Sequence, residues 1–417
     1  MMRKLYGNIQ SLLCNSNYRF YSIAKYPADY MTNITPSILS KLDLKLHLTP
    51  NHPIHILKSL IDAHLSTNHN YTILDKMNPI VSTKQNFDDL LFDSAHPGRS
   101  KTDTYYVNEH HVLRTHTSAH QSEALASDKA SGYLLSADVY RRDEIDPTHY
   151  PVFHQMEGIR LFNSKDLSLL QSDPQINAHV LEPLDFETDN PVQKHHSVEH
   201  STLVAKHLRL ELEGLIKFLF NDEHLQIRWI QAYFPFTSPS WEMEIFYNNQ
   251  WLEVLGCGVI EQEIINNALP EKSKDIIGWA FGIGLERIAM VLFDIPDIRL
   301  FWSTDPRFLS QFKSGKITKF VPFSKYPVCY KDISFWYPTT FHENDMSEIV
   351  RTICGDTAEE GNLPLIDTFV HPKTKKQSRC YRINYRSMDR TLTNKEIDQL
   401  HNQLAAQLVE QLGIELR

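Results

Sequence analysis

No C-x-x-C pair occurs in this chain. Its five cysteines, Cys14, Cys257, Cys329, Cys354 and Cys380, are scattered and odd in number. That excludes a disulfide framework and a thiolate zinc site of the usual spacing, so no zinc is expected, and it suits a reducing compartment. Also missing is any apolar run near the ~20 residues needed to span a bilayer, so no membrane partner is expected. Positive charge is short: 42 Lys and Arg face 51 Asp and Glu, a net −9, which speaks against a partner held by phosphate contacts alone. The deficit is uneven, however. From 319 to 417 basic and acidic residues balance at 13 each, and Lys373, Lys375, Lys376, Arg379, Arg382, Arg386 and Arg390 are interrupted only by Asp389. That stripe reads either as a solvated face or as a track for nucleic acid. The chain has no G-x-x-x-x-G-K-[ST] loop, and Gly282-x-Gly284 meets Arg287 where a dinucleotide fingerprint needs its last glycine. No internal repeat is found, and 417 residues exceed the usual size of one core, which predicts two or three units.

The N-terminus carries Arg3, Lys4, Arg19 and Lys25 with no acid before Asp29. This resembles a mitochondrial presequence, a disordered tail being the alternative. Arg19-Phe20-Tyr21-Ser22 looks like an arginine-marked cleavage context, so residues 1–21 are the expected targeting segment. A helix is predicted over 53–75 after the Pro50-Asn51-His52-Pro53 breaker, and two antiparallel strands over 134–143 and 151–158. Residues 163–200, acidic and rich in Asn, Asp and Pro, read as a surface insertion outside the core. Ser201 is the expected N-cap of a helix whose stripe is Val204, Leu208, Leu212, Leu215 and Leu219. A second hairpin turns at Asn248-Asn249. Near the end, Tyr381, Ile383 and Tyr385 alternate with Arg382 and Arg386. Thr393 with Glu396 forms a capping box ahead of a helix that stops at Gly413. Together these elements predict an α+β chain.

Chemistry concentrates in two places. The first hairpin carries Arg141 and Arg142 on a strand expected to lie opposite Gln155 and Glu157, a set that could hold a phosphate and a cationic group. A structural cross-strand ion pair is the competing explanation. The second place is Gly282-x-Gly284-x-Glu286-Arg287, where glycines allow a ligand to approach the backbone closely, or simply pack. In order and spacing these segments resemble the motifs of class II aminoacyl-tRNA synthetases. His96-Pro97-Gly98-Arg99 with Asp103-Thr104-Tyr105-Tyr106 is similar to motif 1, Tyr140-Arg141 to Gly158 to motif 2, and Gly282 to Arg287 to motif 3. Leu113-Arg114-Thr115-His116-Thr117-Ser118 and Phe234-Pro235-Phe236-Thr237-x-Pro239-Ser240 resemble the amino-acid-binding segments of phenylalanyl-tRNA synthetases. The C-terminal stretch resembles the ferredoxin-like anticodon-binding domain of the single-chain mitochondrial form.

The resemblance implies an antiparallel-sheet catalytic domain over 22–304, a linker or hinge over 305–318 and an anticodon-binding domain over 319–417. It implies phenylalanine, ATP with Mg²⁺ and mitochondrial tRNA(Phe) as ligands, a matrix location and a monomer. By position, Arg141 and Arg287 are expected on the ATP phosphates, with Asp143 beside them and Phe153 on the adenine. His116, Ser118, Gln121, Gln155 and Glu157 are expected on the amino and carboxylate ends of phenylalanine. Phe234 and Phe236 are expected edge-to-face on its ring, with Ala280 at the far wall and Glu253 on magnesium. The basic stripe, Lys373, Lys375, Lys376, Arg382 and Arg386 foremost, is expected along tRNA. Two other readings compete: a catalytically idle relative that only binds RNA, and a class II ligase for another amino acid. Ser238 stands where the family often has glutamate, which removes one expected polar contact.

Overall fold

The computed structural model describes residues 25–417 apart from positions 43, 68, 128, 143–147, 182–189, 304, 323–327, 359–362 and 388–389. The targeting segment expected at 1–21 and the ATP-site residue Asp143 lie outside the described residues. Seven strands form the main sheet: β1 (Thr72–Leu74), β2 (Gly132–Tyr140), β3 (Val152–Phe162), β4 (Ile227–Gln231), β5 (Thr237–Tyr247), β6 (Gln250–Ile260) and β7 (Ile277–Gly284). Their order is β1-β2-β3-β7-β6-β5-β4, antiparallel except for the β1–β2 edge. Both expected hairpins are present. The second turns through Asn248 and Asn249, which hold φ of 49° and 63°, the left-handed pair that matches the twist of a two-residue loop.

Period-two alternation decides which face is buried. Trp241, Met243 and Ile245 of β5 and Trp279, Phe281 and Ile283 of β7 turn one face into the core. There they meet α1 (Pro53–Leu65), α2 (Val198–Phe220) and α3 (Leu285–Phe293). The opposite face of β7 offers Ala280, Gly282 and Gly284. Helix α1 ends ten residues short of the 53–75 expectation, because the chain reverses after Leu65 to add β1 at the sheet edge. Helix α2 is capped by Ser197, whose Oγ accepts the His200 N–H at 3.1 Å; Ser201 lies buried inside the helix.

The described parts of 163–200, residues 163–181 and 190–200, are more deeply engaged than their composition suggested. Asn163 and Asp166 form a capping box on the helix Ser164–Ser172, and Leu167, Ile176 and Asn190 are buried. Gln193 donates to the carbonyls of Ser238 (2.7 Å) and Ile260 (3.0 Å), fastening the segment to strand ends. The expected linker at 305–318 is likewise corrected. Phe308 and Phe312 are fully buried against Phe293 and Phe301, and Phe320 N–H donates to the Phe293 carbonyl at 2.6 Å. Residues up to Phe312, and Phe320 beyond them, are thus anchored in the first unit's core, while 313–317 between them are exposed.

The second unit runs β8 (Cys329–Trp336), α4 (Glu343–Cys354), β9 (Leu365–Val370), β10 (Gln377–Tyr385), α5 (Asn394–Leu412), β11 (Glu415–Leu416). Its antiparallel strands lie in the order β9-β10-β8-β11. Ile333, Phe335, Tyr381, Ile383, Tyr385, Leu404 and Leu408 fill its core. The Thr393–Glu396 capping box and the left-handed Gly413 (φ 63°) bound α5 as read from the sequence. Helix α4 docks on the first unit. Asn344 donates to the Arg142 (2.9 Å) and Thr102 (3.2 Å) carbonyls, Asp345 pairs with Arg142 at 2.8 Å, and buried Glu348 accepts from Thr35 (2.8 Å) and Tyr105.

Candidate active site

A cavity of about 520 Å³ opens on the face of the main sheet away from α2, and its floor is backbone. Across three strands Glu157 of β3 faces Gly282 of β7, which faces Gly256 of β6; Gln155 similarly faces Gly284. A Cβ on Gly256 would stand 2.6 Å from the Phe234 ring, whereas Cβ atoms on Gly282 and Gly284 would meet nothing within 4 Å. The glycines therefore make the volume, either by letting an aromatic wall close down or by leaving space above the chain.

Glu157 is the polar end. It is 2 % exposed and accepts from Ser118 Oγ (2.6 Å), Thr117 Oγ1 (3.2 Å) and Gln121 Nε2 (3.3 Å). Burial pushes its carboxyl up to about 7, the Ser118 and Thr117 hydroxyls pulling the other way. No cation faces it within those contacts, so its remaining attraction is for a positive group entering from the cavity. Gln155 accepts the Thr117 N–H at 3.3 Å. Thr117 was not singled out from sequence, although it sits inside the quoted His116 to Ser118 segment. Gln121 stands behind Glu157 and does not line the cavity.

The other end is aromatic. Phe234 and Phe236 stack with centroids 5.9 Å apart, and beyond Phe236 come His116 (6.3 Å) and Phe92 (5.6 Å from His116, rings parallel within 1°). Phe92 is an addition to the sequence reading; its cavity partners His116 and Phe236 are distant in sequence. Burial, then the Arg141 charge, lowers the pKa of His116 to about 3, a backbone contact with Asn86 opposing them. The imidazole is thus a neutral wall. Ala280, 5 % exposed, lines the cavity from β7.

Arg141, Phe153, Glu253 and Arg287 line the same cavity. The sequence reading placed Arg141 and Arg142 opposite Gln155 and Glu157; the register corrects this. β2 ends at Tyr140, the residues facing Gln155 and Glu157 are Ala137 and Leu135, and the two arginines diverge beyond the strand end. Arg141 turns inward, donating from Nε to the Thr115 carbonyl (2.8 Å) with its guanidinium 5.2 Å over Phe153, while Arg142 turns to α4. Arg287, on the first turn of α3, pairs with Glu253 at 3.3 Å. Glu242, another cavity residue that the sequence reading passed over, has its carboxyl raised by burial and by Glu253 and Glu244. Such a like-charge cluster fits a hard dication.

The basic stripe is largely neutralised in place. Arg382 holds Asp332 through two hydrogen bonds (2.7 and 2.9 Å), Lys376 pairs with Glu415, Arg379 with Glu343 and Arg390 with Glu396. The open face of the second sheet carries aromatics instead: Tyr330 beneath Arg382 (4.3 Å), and Trp336 and Phe369 beneath Arg417 (5.4 and 4.7 Å). Away from both places, His69, His207 and Glu211 bring potential metal ligands within 4.8 Å. The Trp279 indole N–H donates to His207 Nδ1 at 3.1 Å, which leaves the proton of neutral His207 on its other nitrogen, so the group suits a hydrogen-bonded network better than a cation.

The pattern of the tRNA synthetases class II core domain (F) matches residues 41–173 and 192–312, and that of the ferredoxin-fold anticodon binding domain matches 324–417. The chain is 42% identical to the mitochondrial phenylalanine–tRNA ligase of Saccharomyces cerevisiae over 96% of its own length and 97% of that protein's. The chain belongs to the phenylalanine–tRNA ligase family. The mitochondrial ligase of Mus musculus is 46% identical over 94% of this chain and 87% of its own. The chloroplastic/mitochondrial ligase of Arabidopsis thaliana is 46% identical over 93% and 83%. The synthetase-core match contains every residue of the cavity, and the 174–191 stretch that this match skips falls inside the 163–200 segment. The α+β expectation, a synthetase core followed by a ferredoxin fold, is borne out.

Proposed function

We propose that this ligase activates L-phenylalanine with ATP and esterifies mitochondrial tRNA(Phe) with it, acting in the mitochondrial matrix as a monomer. The observation that carries the substrate assignment is a cavity with the buried carboxylate of Glu157, faced by neutral donors, at one end and the Phe234–Phe236 pair at the other. An α-ammonium meets Glu157, with Ser118 and Gln155 orienting the amino-acid head, Gln121 and Thr117 holding Glu157 in place and the neutral His116 forming part of the wall. The side chain lies along Phe234 and Phe236 and ends at Ala280. Because this wall is apolar, added hydroxyl is rejected only about a hundredfold, and tyrosine leaks through.

The first step needs no protein base, since an α-carboxylate of pKa about 3.5 is already ionised. Its oxygen attacks the α-phosphorus in line and pyrophosphate leaves. Arg141 holds the α-phosphate, Phe153 the adenine and Arg287 the terminal phosphates, so each guanidinium faces charge that grows during transfer. For this Arg287 exchanges Glu253 for phosphate, and Glu253 with Glu242 becomes available to Mg²⁺, which supplies further neutralisation of the phosphates when bound. In the second step a hydroxyl of the terminal ribose, the 2′ one by family resemblance, attacks the anhydride carbonyl and AMP leaves. The open face of the second unit receives single-stranded bases on Tyr330, Trp336 and Phe369, while Lys373, Lys375, Lys376, Arg382 and Arg386 meet the backbone. Domain movement pivots beyond Phe320, where the packed core ends.

Amino-acid-dependent ATP–pyrophosphate exchange, run against every proteinogenic amino acid, tests the reading. Exchange with phenylalanine and faintly with tyrosine is expected; none with any amino acid, from folded protein, would refute it and favour an RNA-binding relative.

A further inference from the structure

Two groups assigned to ATP stand on different elements, Phe153 on β3 and Arg287 on α3, and the stacking and phosphate contacts require a fixed separation between them. The β3–β7 ladder cannot supply it, because its last pair is Gln155 with Gly284, after which β7 becomes α3. The next donor along β3, the His154 N–H, is taken by a side chain. Glu286 Oε2 accepts it at 2.7 Å, and Glu286 Oε1 accepts His154 Nδ1 at 2.6 Å. The pair is buried, His154 0 % and Glu286 2 % exposed, with Glu286 at the border of the cavity. On its far side the imidazole stacks on Trp302 (5.6 Å, 20°), which Tyr150 also stacks against (5.6 Å, 24°). His154 lies between Phe153 and Gln155 in sequence, and Glu286 precedes Arg287, so one clamp joins the two halves of the nucleotide site.

We infer that Glu286 and His154 are a positioning pair that sets the distance between Arg287 and Phe153, and so governs ATP through those two residues. The two oxygens of a carboxylate are both required, one for the backbone N–H and one for the ring. Glutamine offers a single acceptor, and its amide NH₂ confronts either the main-chain donor or Nδ1–H. The phenylalanine end is anchored separately, by Glu157 on Ser118 and by the stacked rings, and does not depend on the start of α3. The inference rests on the assignment of Phe153 and Arg287 to ATP.

The test compares the full chain with Glu286→Gln, His154→Leu, His154→Asn and, as a control on the assignment itself, Arg287→Ala. Pyrophosphate exchange gives KM for ATP and kcat, calorimetry gives phenylalanine affinity without ATP, and thermal melting gives stability. Displacing a binding group by about an ångström costs on the order of a hundredfold. Glu286→Gln and His154→Leu should therefore raise KM for ATP, or lower kcat, by about ten- to a hundredfold and leave phenylalanine affinity within about twofold. His154→Asn sets an N–H where Nδ1 stands and should recover most of that loss. Parallel loss of both affinities, unchanged ATP kinetics in Glu286→Gln, or His154→Asn as impaired as His154→Leu would each overturn the clamp. An Arg287→Ala enzyme with normal ATP kinetics would instead overturn the assignment on which the clamp rests.

Discussion

Phenylalanine binding should depend on pH through one residue. Glu157 has its carboxyl raised to about 7, yet it must be ionised to pair with an α-ammonium. Groups that face it are neutral donors, Ser118, Thr117 and Gln121, and the nearby His116 titrates near about 3, outside the window. Below pH 7 each unit should thus weaken binding about tenfold, because a growing fraction of enzyme must first lose a proton at 1.36 kcal/mol per unit. Above pH 7 affinity should level off until the ligand's own ammonium titrates. Calorimetry in buffers of different ionisation enthalpy should show release of up to one proton at pH 6 and little at pH 8. The free enzyme should move the other way. An acid whose folded pKa lies above its unfolded value binds more protons when folded, so stability falls as pH rises from about 4.5 to about 7, by about 3 kcal/mol. Glu157→Gln should abolish both effects. Affinity that is flat from pH 6 to 8, with no proton released, would refute the placement of the ammonium on Glu157.

Ala280→Gly should deepen the aromatic end and raise relative kcat/KM for para-halogenated phenylalanines by at least about tenfold; unchanged selectivity would remove Ala280 from the pocket wall. Arg382→Ala with Arg386→Ala should weaken tRNA charging while sparing exchange, and should reduce the salt slope of tRNA binding by about one per lost phosphate contact; equal loss in both assays would place these arginines elsewhere. Asn344→Ala with Asp345→Ala removes three hydrogen bonds between α4 and the first unit, worth about 1 kcal/mol each. Small-angle scattering should then show a larger radius of gyration, and an unchanged profile would leave docking to the other α4 contacts, Glu348 with Thr35 and Tyr105 among them.

Local rules made much of the fold legible. Turn chemistry gave the Asn248-Asn249 hairpin, and a capping box with a terminal glycine bounded α5. What escaped was non-local. β1 is three residues long and owes its existence to β2, so no periodicity marks it. The first turn of α2 carries none of the apolar stripe that begins near Val204, which hid its Ser197 cap. At 190–193 the anchoring comes from Asn190 and Gln193 bonding to carbonyls of Ser240 and Ser238 far along the chain, a satisfaction invisible to composition. The site shows the same division. Motif spacing brought Glu157, Ser118, Phe234 and Arg287 together, but the fates of the two arginines turned on where β2 stops. Charge counting likewise found the basic stripe and missed Asp332, Glu343 and Glu415, which lie across strands or on a helix.

The glycine floor of the cavity bears on how tightly the enzyme can hold its ligands. A side chain that lines a site gives up rotamer freedom when a ligand settles on it, at up to about 2 kcal/mol for the longest. Gly256, Gly282 and Gly284 have none to give. The ordering cost of binding therefore concentrates on the phosphate end, in Arg141 and Arg287, and the floor beneath phenylalanine is as fixed before binding as after.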